Sequence, residues 1–116
     1  AVLTRGLDGC LFLFPAEVWQ KISHKLRETP LTSLDARAFT RLITYEAFEV
    51  EFDNQGRILV PEVLKKFAGL IKEAVIAGSL DRVEIWAKEK FSDYQTKIEK
   101  TSDEIAERLN NFEIRI

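Results

Sequence analysis

Apolar and polar positions follow one another along this chain in short stretches whose period changes repeatedly, and each change marks an element. Val2-Leu3-Thr4 reads as a short strand and Gly6-Leu7-Asp8-Gly9 as a turn. Cys10 to Phe14 is a continuous apolar run of strand length, expected to be buried on both faces. Pro15 opens a helix at its first position, where the missing N–H costs nothing, and Val18, Trp19, Ile22 and Leu26 form its apolar stripe. Thr29-Pro30 ends it. Ser33 is placed to cap a second helix whose expected buried stripe is Leu34, Ala38, Leu42 and Tyr45, with Arg37 and Arg41 on a neighbouring stripe.

The period then drops to two. Phe48, Val50 and Phe52 alternate with Glu49 and Glu51, predicting a half-exposed strand. Asp53-Asn54-Gln55-Gly56 is a tight polar turn, and Arg57 begins a return strand through Ile58-Leu59-Val60. Pro61 opens a short helix with Val63, Leu64 and Phe67 inward, closed by Gly69. A strand from Glu73 to Ala77, a turn at 78–81 and a strand from Val83 to Trp86 follow. Ala87 to about Lys97 reads as helical, and a last helix runs from a Ser102 cap through Leu109. The order β-β-α-α-β-β-α-β-β-α-α, with short connections and no linker, describes one small α+β domain.

Composition adds limits. The 116 residues are 46% apolar and 31% charged, so the chain can build a core and is neither a disordered tail nor a membrane span. One Cys and one His cannot make a disulfide or a metal site, and no cofactor is implied. Cys10 reads as a small buried hydrophobe. His24, beside Lys25 and without a nucleophile at recognisable spacing, reads as a surface residue; with no phosphate-cradling glycine loop either, no enzyme and no small-molecule substrate are expected. The signal-peptide pattern is missing, which makes a cytoplasmic protein the expectation.

The net charge of −2 argues against a generic polyanion binder, but the charges are segregated. Lys21, Lys25, Arg27, Arg37 and Arg41 crowd one stretch, Arg57, Lys65, Lys66 and Lys72 another, and Asp103, Glu104 and Glu107 the end. Such segregation can hide a basic binding face beneath an acidic total; solvated helix faces would look the same.

An internal repeat is visible. Gly6 to Trp19 aligns with Gly78 to Phe91: the Gly, the Leu-Asp pair, the apolar strand ending in an aromatic and the helix that follows all recur. Trp19, Ile22 and Leu26 match Phe91, Tyr94 and Ile98 at the same offset. The second copy is preceded by the hairpin and short helix of Phe48 to Gly69, the first by nothing. The chain also holds no Met and opens on Ala1-Val2-Leu3. The expectation is that roughly thirty residues, a second Gly-Arg hairpin and helix, are absent before Ala1. The core under Leu3, Leu11 and Leu13 is then expected to lack its cover.

Asp53-Asn54-Gln55-Gly56-Arg57-Ile58-Leu59-Val60-Pro61, followed by Val63-Leu64-Lys65, resembles the loop–hairpin–helix element of AbrB-like, swapped-hairpin DNA-binding domains. With Gly6 to Trp19, Arg41 onward and Arg82-Val83-Glu84-Ile85-Trp86, the resemblance narrows to the MraZ family of bacterial transcriptional regulators. It implies tandem AbrB-like (SpoVT-AbrB) units forming a pseudo-twofold, small barrel-like core with peripheral helices. Residues 1–46 would be the remainder of a first unit with connecting helices, and 47–116 a second unit with C-terminal helices. It further implies a nucleoid-associated regulator of the division and cell-wall gene cluster. Such a protein binds direct repeats in promoter double-stranded DNA as a ring-like homo-oligomer, with no membrane partner. The DNA-contacting surface would be the hairpin turn: Arg57 first, whose guanidinium can fork onto a guanine edge or a phosphate, then Gln55 and Asn54, whose amides suit bases or phosphates. Lys65 stands where many AbrB-like units have Arg, and Lys66 and Arg41 are further candidates. Asp53 and Gly56 would structure the turn. The alternative is an oligomeric protein-interaction module that keeps the fold and has no DNA affinity.

Overall fold

The computed structural model describes residues 1–112; residues 113–116, the end of the expected second unit, lie outside the described residues. Its elements are β1 (Val2–Arg5), β2 (Leu11–Phe14), α1 (Ala16–Arg27), α2 (Leu34–Tyr45), β3 (Phe48–Glu49), α3 (Glu62–Ala68), β4 (Ala74–Ser79), β5 (Arg82–Ala87), α4 (Lys88–Lys100), α5 (Ser102–Arg108) and a 3-10 turn, Leu109–Phe112. The strands make one open antiparallel sheet in the order β3-β1-β2-β5-β4. The α+β reading holds.

The repeat sets the centre of this sheet. β2 pairs with β5 as Leu11↔Ile85, Phe12↔Glu84 and Leu13↔Val83. In the sequence alignment Leu11 corresponds to Val83, Phe12 to Glu84 and Leu13 to Ile85, so exchanging the two copies maps the pairing onto itself. That is the register a twofold axis through the Phe12–Glu84 pair requires. The aromatic that ends each strand also meets the equivalent residue of the following helix. Phe14 and Trp19 have ring centroids 6.0 Å apart, and Trp86 and Phe91 5.8 Å.

Alternation along the strands divides the core between the two sheet faces. Leu3, Leu11, Leu13 and Ile85 face one side, with Val50, Leu64 and Ala68 packed on them. Cys10, Phe12, Phe14 and Trp86 face the other, under Val18, Trp19 and Ile22 of α1 and Phe91 and Tyr94 of α4. Each fully buried leucine stabilises the fold by about 1.5–3 kcal/mol relative to exposure. Burial, reinforced by the negative charges of Glu84 and Asp8, pushes the Cys10 thiol up to about 12. The folded chain is therefore expected to resist iodoacetamide at pH 8, alkylation following the rate of unfolding; rapid labelling of the native state would contradict this placement.

Several expectations need correction. Leu3 and Leu11 are fully buried and Leu13 nearly so, because the Phe48 to Ala68 stretch folds back over the sheet face that carries them. β3 pairs with β1 (Leu3↔Phe48, Val2↔Glu49), the Val50 N–H donates to the Ala1 carbonyl at 2.9 Å, and α3 lays Leu64 and Ala68 on the sheet face that carries Leu3. The uncovered position is instead on β4. Ile76 pairs with Ile85 as Leu3 pairs with Leu13, yet Ile76 is 63% exposed where Leu3 is 0%.

The return strand Ile58–Val60 does not form. β3 is committed to β1, so the returning arm has no ladder partner among the described residues, and Leu59 is 83% exposed. The alternation of Phe48, Val50 and Phe52 breaks for the same reason: only Val50 is buried, and Phe52 leaves the sheet. In α2 the expected stripe of Leu34, Ala38, Leu42 and Tyr45 faces solvent; Ile43 is the buried residue, held because the Thr4 hydroxyl on β1 donates to its carbonyl at 2.6 Å. With Ile43 buried, the half-buried positions of the helix are Ala36, Arg37 and Thr40. In α3 Leu64 and Ala68 are buried while Val63 is largely exposed. Pro15 and Pro61 sit one position before their helices, Ser102 is the first helical residue of α5, and the β4–β5 turn tightens to Leu80-Asp81.

Candidate functional site

The 53–57 turn is built by one carboxylate. Asp53 Oδ1 accepts from the backbone N–H of Gln55 at 2.9 Å and of Arg57 at 2.8 Å, and Oδ2 accepts from Arg57 Nε at 2.9 Å. The Asp53 N–H donates to the Arg57 carbonyl at 2.8 Å, closing the loop. Gly56 has φ +77°, and a Cβ there would meet nothing within 4 Å, so backbone conformation and not space demands glycine. These bonds, chiefly that from the Arg57 N–H, hold the Asp53 carboxyl below its ordinary value of 3.8. A depressed folded value means the support is present above the unfolded pKa and is lost as pH falls through the folded one. The Gln55 and Arg57 amide resonances are thus expected to titrate together with a midpoint below 3.8. Independent shifts, or a midpoint above that value, would contradict the carboxylate's role.

The consequence for Arg57 is orientation. Its side chain is 71% exposed, yet its backbone N–H and its Nε are both tied to Asp53. Among the described residues neither terminal Nη makes an internal hydrogen bond, which leaves the forked end available to a planar acceptor pair. Asn54 and Gln55 are exposed beside it at the tip. The structure therefore joins Asn54, Gln55 and Arg57 on one projecting turn.

Lys65 and Lys66 lie in the last turn of α3, where a cation also favours the negative helix end. Gly69, in the left-handed conformation, terminates that helix, and Lys90 Nζ of α4 donates to the Phe67 carbonyl at 3.4 Å. Arg41 stands apart, on α2, lining the groove between α1 and α2.

Two supporting arrangements escaped the sequence reading. Arg5 stacks on Phe67 at 4.0 Å from the ring centroid, with its Nε 3.4 Å from Glu46, and so fixes α3 against β1. On β5, Glu84 accepts from Arg82 through Oε2 at 2.9 Å and from Trp86 Nε1 through Oε1 at 3.2 Å, while Arg82 stacks on Phe12 at 4.6 Å. The period-two spacing of Arg82, Glu84 and Trp86 was the available signal that these side chains share a face. This motif secures the twofold centre. The His24 side chain is 72% exposed and lies 3.1 Å from the Glu28 carboxylate. Among the described residues no group of His, Cys, Asp and Glu could hold a metal ion, and no helix is long and apolar enough to cross a membrane.

Comparison with known proteins matches residues 1–42 and 43–113 to the family described as "MraZ protein, putative antitoxin-like". Over 113 residues, 97% of this chain and 79% of the relative, the chain is 50% identical to the transcriptional regulator MraZ of Lactobacillus delbrueckii subsp. bulgaricus. Over the same shares of each chain it is 48% identical to the proteins of that name from Lactobacillus gasseri and Heliobacterium modesticaldum.

Proposed function

This chain belongs to the MraZ family, whose members compared above are transcriptional regulators, and from that premise we propose that it regulates transcription by binding promoter DNA through its hairpin turn. The observation that carries the reading is the Asp53-braced turn, which projects Arg57 with neither Nη hydrogen-bonded among the described residues, beside two exposed amides. Arg57 reads a guanine edge or clamps a phosphate, Gln55 and Asn54 add contacts at the tip, and Lys65 and Lys66 neutralise phosphates alongside. Arg41 is not needed for this surface.

One turn makes few contacts. An oligomer presenting several turns to short direct repeats gains affinity by effective concentration, on the order of 10²–10⁴ without any new contact. The target we assign is the promoter of the division and cell-wall gene cluster, which places the protein at the nucleoid in the cytoplasm. No covalent step enters this mechanism, and a family of transcriptional regulators is not an enzyme class.

The test is binding of the chain to a promoter fragment across a salt series. The expected result is a log–log slope well below zero, becoming shallower by about one unit in Lys66→Ala, as loss of one phosphate contact requires. Absence of binding at low salt would overturn the reading and favour a protein-interaction module of the same fold, to which the net charge of −2 also points.

A further inference from the structure

The basic stretch between Lys21 and Arg41 is not used by the hairpin surface, and the fold gives it a place of its own. Between α1 and α2 runs a groove of about 620 Å³, within the roughly 300–1,000 Å³ of sites that hold small molecules. Leu26, Pro30, Leu31 and Tyr45 form its apolar walls, Leu31 being 85% exposed and Tyr45 77%. Its charged lining is Arg27, in the last turn of α1, with Arg37 and Arg41, one turn apart on α2. No carboxylate lines it.

The carboxylates that end the two helices are engaged elsewhere. Glu28, after α1, meets His24 at 3.1 Å, and Glu46, after α2, meets Arg5 at 3.4 Å. Among the described residues none of the groove's arginines pairs with a carboxylate. Arg37 donates through Nη1 to the Leu31 carbonyl at 2.8 Å, which holds its guanidinium beside the connection between the helices. Like charges on walls of low dielectric focus a positive potential within the groove. A bare anion would satisfy the arginines and leave the apolar walls in water. An apolar chain alone would do the reverse.

We infer that the groove between α1 and α2 binds an amphiphile in which a phosphate monoester is joined to an alkyl chain. The phosphate carries roughly −1.5 to −2 charge and three acceptor oxygens, which suits guanidinium forks supplied from both walls. The chain lies along Leu26, Pro30, Leu31 and Tyr45 and removes apolar surface from water, so affinity rises about fourfold with each methylene added. The site includes no residue of the 53–57 turn, and its occupancy is measured without DNA. It therefore stands or falls apart from the reading of the hairpin.

The probe is decyl phosphate, kept below its micelle concentration and titrated into the full chain by calorimetry, with amide resonances followed by NMR. Saturable binding is expected, with the largest shifts among residues 23–45. Octyl phosphate, two methylenes shorter, is expected to bind about fifteenfold more weakly. Arg41→Ala on one wall and Arg27→Gln on the other are each expected to weaken decyl phosphate by about tenfold or more. Both side chains are exposed, so both variants should melt with the parent chain. Displacement of the probe by equimolar inorganic phosphate would reduce the site to a bare anion patch, and equal binding of decyltrimethylammonium would reveal indiscriminate apolar uptake. Either result overturns the inference. So do shifts centred on the 53–57 turn, full affinity in both arginine variants, or no binding of decyl phosphate.

Discussion

Leu3→Ala is expected to destabilise the chain by about 3–5 kcal/mol, whereas Ile76→Ala, at the equivalent position of the other copy, should cost less than about 1 kcal/mol. Leu3 is fully buried beneath Val50, Leu64 and Ala68, so truncation leaves a cavity between β1 and the Phe48 to Ala68 stretch that covers it. Ile76 is 63% exposed and loses little. Urea denaturation measures both: the midpoint should fall steeply for the first variant and barely move for the second. Equal losses would mean that both halves of the sheet are covered.

That asymmetry shows how far the sequence could be read. The repeat, read from Gly6 to Trp19 against Gly78 to Phe91, anticipated the two equivalent strands that pair at the centre of the sheet. It could not say where the Phe48 to Ala68 element would pack; in space that element lies against β1 and the sheet face that carries Leu3. Period and capping identify local elements well: the Ser33 hydroxyl accepts from the Ala36 N–H and Gly69 closes α3, both as read. Faces are harder. α2 carries apolar residues on more than one side, and the choice falls to a tertiary bond, Thr4 to the Ile43 carbonyl, which no periodicity contains. The return strand after Arg57 failed on similar grounds, since Ile58-Leu59-Val60 has strand composition but no pairing partner among the described residues.

At the 53–57 turn the structure shows the backbone geometry that the motif suggested. Gly56 takes the positive φ its place in the turn suggested, and Asp53 both braces the backbone and pairs with Arg57. What could not be read from the motif is which nitrogen of the guanidinium Asp53 engages. Because it is Nε, the fork remains available. This gives the second large prediction. Arg57→Ala removes a forked contact worth about 1–3 kcal/mol for each base pair it reads, so an assembly using several turns should lose affinity by two orders of magnitude or more. Arg57→Lys should recover the phosphate attraction without the bidentate geometry, restoring non-specific binding but not discrimination. Both variants should melt with the parent chain, since the pair lost is solvent-exposed and worth little to stability.

The most direct test of the central claim compares, at one fixed salt concentration, the affinity of the chain and of Arg57→Ala for the promoter fragment and for a scrambled duplex of equal length. The account predicts that the chain prefers the promoter and that the variant binds both duplexes alike. An Arg57→Ala variant that keeps the full preference would contradict it.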